Sequence, residues 1–86
     1  MKTTGYFRNV AVKKHPGIKI EWIKQVMNNP LYRTVQPDGR IAMWGNVTEA
    51  EGRALRIITL EDGETVHNAF FDRNFWKRQK RGEIPK

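Results

Sequence analysis

The sequence contains neither cysteine nor serine. Without cysteine the chain can form no disulfide bond, no catalytic thiolate and no cysteine-ligated zinc site. Without serine it has no serine triad, and its threonines have no evident base beside them. The two histidines, His15 and His67, are far apart in sequence, and no calcium-type acidic loop or glycine-rich phosphate loop is present. We therefore expect neither a metal nor another cofactor.

Long apolar runs are also missing. No stretch approaches the roughly 18 residues that a membrane span needs, and the N-terminus lacks the apolar segment of a signal peptide. We therefore expect a soluble cytoplasmic protein that does not contact membranes. The 86 residues are enough for one domain with a modest core. The prediction is a single domain over 1–86, with an ordered core over about 6–76 and a basic C-terminal tail over 77–86.

Positive charge is in excess, and it lies near the two ends of the chain. The net charge is +7. Residues 1–19 carry five basic groups and no acid, residues 72–86 carry six basic groups against two acids, and residues 20–71 are slightly acidic. If the two ends meet in the fold, they form one positive face that attracts phosphate backbones and other polyanions. The alternative is a solubilising surface with a disordered basic tail.

The hydrophobic pattern predicts an α+β domain. Strand-forming residues over 6–12 indicate a first strand. An apolar stripe over 18–29 indicates an amphipathic helix of about three turns, which Pro30 ends. Four further strands are expected at 31–36, 40–47, 53–60 and 64–71.

Two turns and a terminal helix complete the predicted order. Pro37-Asp38-Gly39 and Asp62-Gly63 are turn signals that favour antiparallel connections. Residues 72–80 favour a short C-terminal helix with Asp72 as its N-cap. The predicted architecture is one helix packed on an antiparallel sheet of about four to five strands, in the order β-α-β-β-β-β.

Several motifs give the chain a family resemblance. The sequence resembles a group of small uncharacterised bacterial domains that are similar to the BrnT toxins and to the wider RelE/ParE-like superfamily. The resemblance covers roughly residues 13–75. It is carried by His15, Ile18, Asn29-Pro30, Pro37-Asp38-Gly39-Arg40, Trp44, Leu55-Arg56-Ile57-Ile58, Asp62-Gly63-Glu64-Thr65 and Asn68-Ala69-Phe70.

The resemblance implies a fold and a function. The implied fold is a compact sheet packed on a helix, although RelE-like toxins usually have two helices before the meander and only one is predicted here. In toxin members the sheet face presents basic and polar groups that cleave RNA, often on the ribosome, and antitoxin partners cover that face. The resemblance thus implies RNA or the ribosome as a ligand, and an acidic antitoxin-like protein as a partner.

Three residues are the candidates for metal-independent RNA cleavage. That reaction needs a base, an acid and positive groups for the phosphorane charge. His67 can serve as base or acid, and Arg56 and Arg73 can hold a phosphate in a bidentate fork. Alternatively, His67 only makes a hydrogen bond within the sheet. Strand alternation places His67 and Asn68 on opposite faces unless a bulge intervenes, so a phosphate site needs Arg56 on the same face as one of them.

A larger group of residues is suited to nucleic-acid binding. A basic cluster beside the helix start can cradle an anion, and a tryptophan among basic residues can stack on a base or dock a terminal helix. Arg40 can contact a ligand or simply pair with Asp38. The alternative function is a non-catalytic module that binds nucleic acid or an acidic protein. The candidates are Lys13, Lys14, His15, Arg40, Asn68, Trp76, Lys77, Arg78, Lys80 and Arg81.

Overall fold

The computed structural model describes residues 1–84, which form a four-stranded antiparallel sheet with helices. Two helical segments come first, then four consecutive strands in the spatial order β1-β2-β3-β4, then a short helix. The α+β class and the antiparallel sheet are therefore as predicted. The elements are α1, made of a π-helical turn Phe7–Ala11 and an α-helical turn Val12–Lys14; α2, Ile20–Asn28; β1, Tyr32–Val35; β2, Ile41–Val47; β3, Arg53–Thr59; β4, Val66–Phe71; and α3, Phe75–Lys80.

The predicted first strand over 6–12 is wrong, because these residues belong to α1. Phe7 and Ala11, four residues apart, are both buried in the core, which is the spacing of one helix face. Before this helix the chain makes a single parallel bridge, between Thr3 and Val66 of β4. Two helical segments rather than one therefore precede the sheet, and no fifth strand forms among residues 1–84.

The buried stripe of helix α2 is narrower than the apolar stripe in its sequence. Trp22, Ile23 and Val26 are buried, whereas Ile20 is 40% exposed. The helix lies close to the sheet at Gly45 of β2, where an added Cβ would stand 2.7 Å from a methyl group of Val26. Glycine is thus required at this position for steric reasons.

The sheet has two faces with separate cores. The α2 face is covered by α1 and α2, and its core includes Ile23, Val26, Met43, Leu55 and Ile57. We call the opposite side the α3 face, because α3 and the residues after it pack there. Its buried cluster consists of Ala42, Trp44, Ala54, Ile58, Phe75 and Ile84.

The β3–β4 hairpin contains a β-bulge, which strand alternation alone could neither predict nor exclude. Thr59 pairs with Val66 and Ile58 pairs with Asn68, so His67 is an extra residue in β4. The hairpin turn places Gly63 at φ 70°, a left-handed conformation that favours glycine. Asp62 accepts hydrogen bonds from the backbone N–H groups of Glu64 and Thr65 at 2.9 Å each and from the Thr65 hydroxyl at 2.6 Å.

The C-terminal helix begins later than predicted, at Phe75. Asp72 lies three residues earlier and its Oδ1 accepts the Asn74 backbone N–H at 3.0 Å, so its carboxylate stabilises the turn that leads into α3. Ile84 is buried on the α3 face, although it lies within the predicted tail. The last two residues of that tail, 85–86, lie outside the described residues. Within residues 1–84, none of the helices has the length and apolar character that crossing a membrane requires.

Candidate nucleic-acid interface

A row of four cross-strand neighbours forms the centre of the α3 face. Tyr32, Trp44, Arg56 and Phe70 pair in sequence from β1 to β4. The guanidinium carbon of Arg56 lies 4.9 Å from the ring centroid of Trp44 and 5.6 Å from that of Phe70. A cation this close to two aromatic rings is held by their quadrupoles. The sheet thus presents a positive charge between two aromatic side chains, and we call these four residues the central row.

A single carboxylate joins the central row to α3. Asp72 Oδ2 accepts the Trp44 indole N–H at 2.9 Å and an Arg78 N–H at 3.0 Å. The Arg78 guanidinium also lies 5.8 Å from the Trp44 ring. Two arginines therefore stand beside one acid, and the cluster keeps a net positive charge.

The pKa values of these groups follow from their burial and mutual contacts. Burial alone would raise the pKa of Asp72, but hydrogen bonds from Trp44 and Asn74 and the charges of Arg78 and Arg56 outweigh it, so the pKa lies below its ordinary value. Burial lowers the pKa of Arg56 and the Arg78 charge adds to this, while Asp72 opposes both. Asp72 is therefore ionised at neutral pH, with its carboxylate engaged by Trp44 and Arg78.

A hydrogen bond from its terminal guanidinium nitrogen also holds Arg56 in position. Its Nη2 donates to Gln36 Oε1 at 2.8 Å. Gln36 directly follows β1, so this bond spans β2. The Nε atoms of Arg56 and Arg78 are buried and make no hydrogen bond within residues 1–84. Both guanidinium groups thus retain donor capacity that the protein does not use.

Helix α1 covers the opposite face of the sheet, but its basic end reaches the β4 edge of the α3 face. The His15 ring lies 5.9 Å from the Phe70 ring, at the β4 end of the central row. Lys13 and Lys14 immediately precede it, are exposed, and form no ion pair within the described part of the chain. We call Lys13, Lys14 and His15 the N-terminal basic border.

The basic residues of α3 include Arg78, which lies beside Trp44 of the central row. Arg78 reaches Asp72, and Arg81 pairs with Glu83 at 2.7 Å. Lys77 and Lys80 are exposed and have no acidic partner among residues 1–84. We call Lys77, Arg78, Lys80 and Arg81 the C-terminal basic border. The two basic segments, more than 60 residues apart in sequence, therefore both adjoin the central row.

The three candidates for catalysis do not form one constellation. His67 and Arg73 are six residues apart across β4 and its end, a separation of roughly 20 Å along an extended chain. Arg73 is exposed and makes no hydrogen bond or ion pair within residues 1–84. Arg56 faces Phe70, about midway between the other two. The structure brings Arg56 together with Arg78 instead.

His67 is half-buried at the bulge, where residues of the N-terminus cover it. Its Nδ1 lies 3.0 Å from the Thr4 hydroxyl, and its ring stacks on Tyr6 with the centroids 4.7 Å apart. Burial lowers the pKa of His67, the Arg40 charge lowers it further, and Asp38 acts in the opposite direction. The neutral imidazole is therefore favoured at pH 7, with Nδ1 engaged by Thr4.

The remaining candidates have both structural and surface roles. Asn68 lies on the α3 face, opposite Ile58, and its Oδ1 accepts the backbone N–H of Ala69 at 2.9 Å. Arg40 pairs with Asp38 at 3.7 Å, as the simpler interpretation expected. Trp76 docks α3, since its indole N–H donates to the carbonyl of Gly52 at 3.1 Å, but the residue remains partly exposed.

The parts of the candidate interface that depend on long-range contacts could not be predicted from the sequence. In the sequence Trp44 contributed to the family resemblance, and Asp72 was predicted as a helix cap. Their hydrogen bond joins positions 28 residues apart, and no local pattern signals it. Arg53 was not singled out at all, although its guanidinium carbon lies 4.0 Å from the Phe71 ring.

Comparison of the chain with protein-family models, curated proteins and solved structures found no significant match.

Proposed function

We propose that this protein is a small RNA-binding domain of the toxin-like class, and that it binds RNA through the α3 face and its two basic borders. The observation that carries the proposal is the meeting of both basic segments at one aromatic row. Phosphates attract such a surface from a distance and bind to it in proportion to the charges they neutralise.

The aromatic content of the surface favours an unpaired strand over a duplex. Tyr32, Phe70 and Trp76 are partly exposed on or beside the α3 face. Unpaired bases can stack on such rings while the phosphates contact lysine and arginine, whereas bases within a duplex are already stacked. Single-stranded RNA is therefore the ligand that uses both properties of the surface.

The acid within the site does not oppose this ligand. Asp72 is 11% exposed at its side chain and is engaged by Trp44 and Arg78. Its carboxylate holds Arg78 in place rather than facing an incoming phosphate. An acidic protein, such as an antitoxin-like partner, would be attracted by the same charges and would compete with RNA for the surface.

Binding measurements with paired variants test the proposal. A labelled single-stranded RNA is titrated with the wild type, with Lys13→Gln/Lys14→Gln and with Lys77→Gln/Lys80→Gln. The control is Lys2→Gln/Lys24→Gln, which removes the same charge beside a separate groove lined by Met1, Lys24 and Met27. We expect each border variant to bind about tenfold more weakly, and the control to bind like the wild type. Equal losses in all three variants would contradict a defined surface.

RNA cleavage is the second candidate function, and the state of His67 favours it. A neutral imidazole at pH 7 is suited to act as a general base. Incubation of single-stranded RNA with the protein and a chelator should then give products with 2′,3′-cyclic phosphates, and His67→Gln should abolish them. If the wild type binds RNA but yields no such products, the protein acts by binding alone.

A further inference from the structure

We infer that one unpaired RNA nucleotide binds in a groove at the end of the sheet, with its base against Trp76 and its phosphate between Arg53 and Arg73. This inference rests on the proposed RNA binding and assigns a base-binding site to it. The groove has a volume of about 240 Å³ and is lined by Arg53, Ala54, Phe71, Asp72, Arg73 and Trp76.

The groove combines apolar and positively charged lining residues. Ala54, Phe71 and Trp76 are apolar, and Arg53 and Arg73 carry guanidinium groups. Its volume is below the roughly 300–1,000 Å³ typical of sites for drug-sized ligands, so it suits a single ring system. Apolar surface that accepts a planar ring, next to paired positive charge, matches a nucleotide in both shape and charge.

The side chains that form the groove are held in position by the protein. The Arg53 guanidinium lies 4.0 Å from the Phe71 ring, and its Nε donates to the Ala50 carbonyl at 3.1 Å. Its terminal Nη atoms make no hydrogen bond within residues 1–84. Trp76 is fixed by its bond to Gly52 and by an edge contact with Phe75, whose ring centroid is 5.1 Å away. Little ordering is therefore required of these two side chains on binding.

Arg73 supplies the charge that the fold does not otherwise use. It is exposed and has no ion pair in the described part of the chain. The neighbouring acid, Asp72, is already engaged by Trp44 and Arg78. A phosphate in the groove thus meets two guanidinium groups that make no ion pair, and the one carboxylate among the lining residues is already engaged, which favours an anionic ligand over a neutral or cationic one.

Nucleotide titrations followed by NMR test the inference. The three tryptophans give three indole N–H signals, and Trp76→Phe assigns the one that belongs to the groove. The probes are uridine 5′-monophosphate, uridine without phosphate, and ribose 5-phosphate without a base. We expect the Trp76 signal to shift with the monophosphate, and each partial probe to bind about tenfold more weakly because it lacks either stacking or charge.

A matched pair of arginine variants separates this site from general electrostatics. Arg73→Gln should weaken binding of the monophosphate several-fold, whereas Arg33→Gln, an exposed arginine of β1 at the opposite edge of the sheet, should leave it unchanged. Ribose 5-phosphate binding as tightly as the nucleotide would overturn the base site. RNA binding that depends on the basic borders, without any Trp76 shift, would also overturn it while leaving the proposed function intact. No RNA binding at all would remove both.

Discussion

Trp44 donates its indole N–H to Asp72, 28 residues later in the chain, at 2.9 Å. This bond fixes the end of β4 against the centre of the sheet, at the point where α3 begins. Because the same carboxylate oxygen accepts Arg78, one acid holds together the sheet, the terminal helix and the positive cluster. The basic character of the α3 face and the docking of α3 therefore depend on the same residue.

Neutralising this acid should destabilise the protein. Asp72→Asn keeps the shape but removes the charge beside Arg56 and Arg78, and we expect a loss of about 1–3 kcal/mol in the free energy of unfolding. Glu83→Gln is the control, since it breaks the exposed pair with Arg81 and should cost about 0–1 kcal/mol. Denaturant unfolding measures both, and equal effects would contradict the role assigned to Asp72.

Close packing of α2 on β2 leads to a second prediction. Gly45→Ala places a methyl group 2.7 Å from a Val26 methyl within the core and should destabilise the domain by about 1–3 kcal/mol. Gly17→Ala is the matched control, because an added Cβ there has no neighbour within 4 Å. Thermal unfolding of the two variants should differ clearly, and a harmless Gly45→Ala would show that α2 lies further from the sheet.

The buried stripe of α2 can be tested by comparing two isoleucines. Ile23 is 1% exposed and Ile23→Ala should cost about 2–5 kcal/mol, which is the range for a large core residue. Ile20→Ala removes the same atoms from a side chain that is 40% exposed and should cost much less. Similar losses for both in chemical denaturation would mean that the helix faces the sheet differently.

The hairpin turn should contribute stability that depends on pH. Hydrogen bonds from the Thr65 hydroxyl and from the backbone of Thr65 and Glu64 lower the pKa of Asp62 from 3.8 to about 2. A carboxyl whose pKa is lowered by folding stabilises the native state above its unfolded pKa, and this contribution is lost as pH falls from about 4 to about 2. Carboxyl titration by NMR should find this low pKa, and Thr65→Val should raise it toward the ordinary value.

The sequence predicted those parts of the fold that local chemistry determines. Gly39 and Gly63 adopt the positive φ that their turns require, and all four strands of the observed sheet were expected from turn signals and strand-forming residues. The segment 6–12 was misassigned because tyrosine, phenylalanine and valine favour strands. Burial of Phe7 and Ala11 four residues apart outweighs that preference in the folded protein.

The candidate interface was only partly predictable, because it joins segments that are distant in the sequence. The charge map correctly identified basic segments at both ends, because charge is a local property of the sequence. Which sheet residues those segments adjoin depends on the β3–β4 register and on the bulge at His67, which places Asn68 and Phe70 on the same face as Arg56. The groove of Arg53, Phe71 and Trp76 likewise combines parts of β3, β4 and α3 that no local pattern connects.

The salt dependence of RNA affinity tests the central claim most directly. For a single-stranded RNA we expect the logarithm of the association constant to fall linearly with the logarithm of the salt concentration, with a slope of about −0.7 for each phosphate contact. Lys77→Gln/Lys80→Gln should make that slope shallower by about 1.4 if both lysines contact phosphates, while Lys2→Gln/Lys24→Gln should leave it unchanged. A slope near zero, or the same slope in both double variants, would contradict RNA recognition by the α3 face.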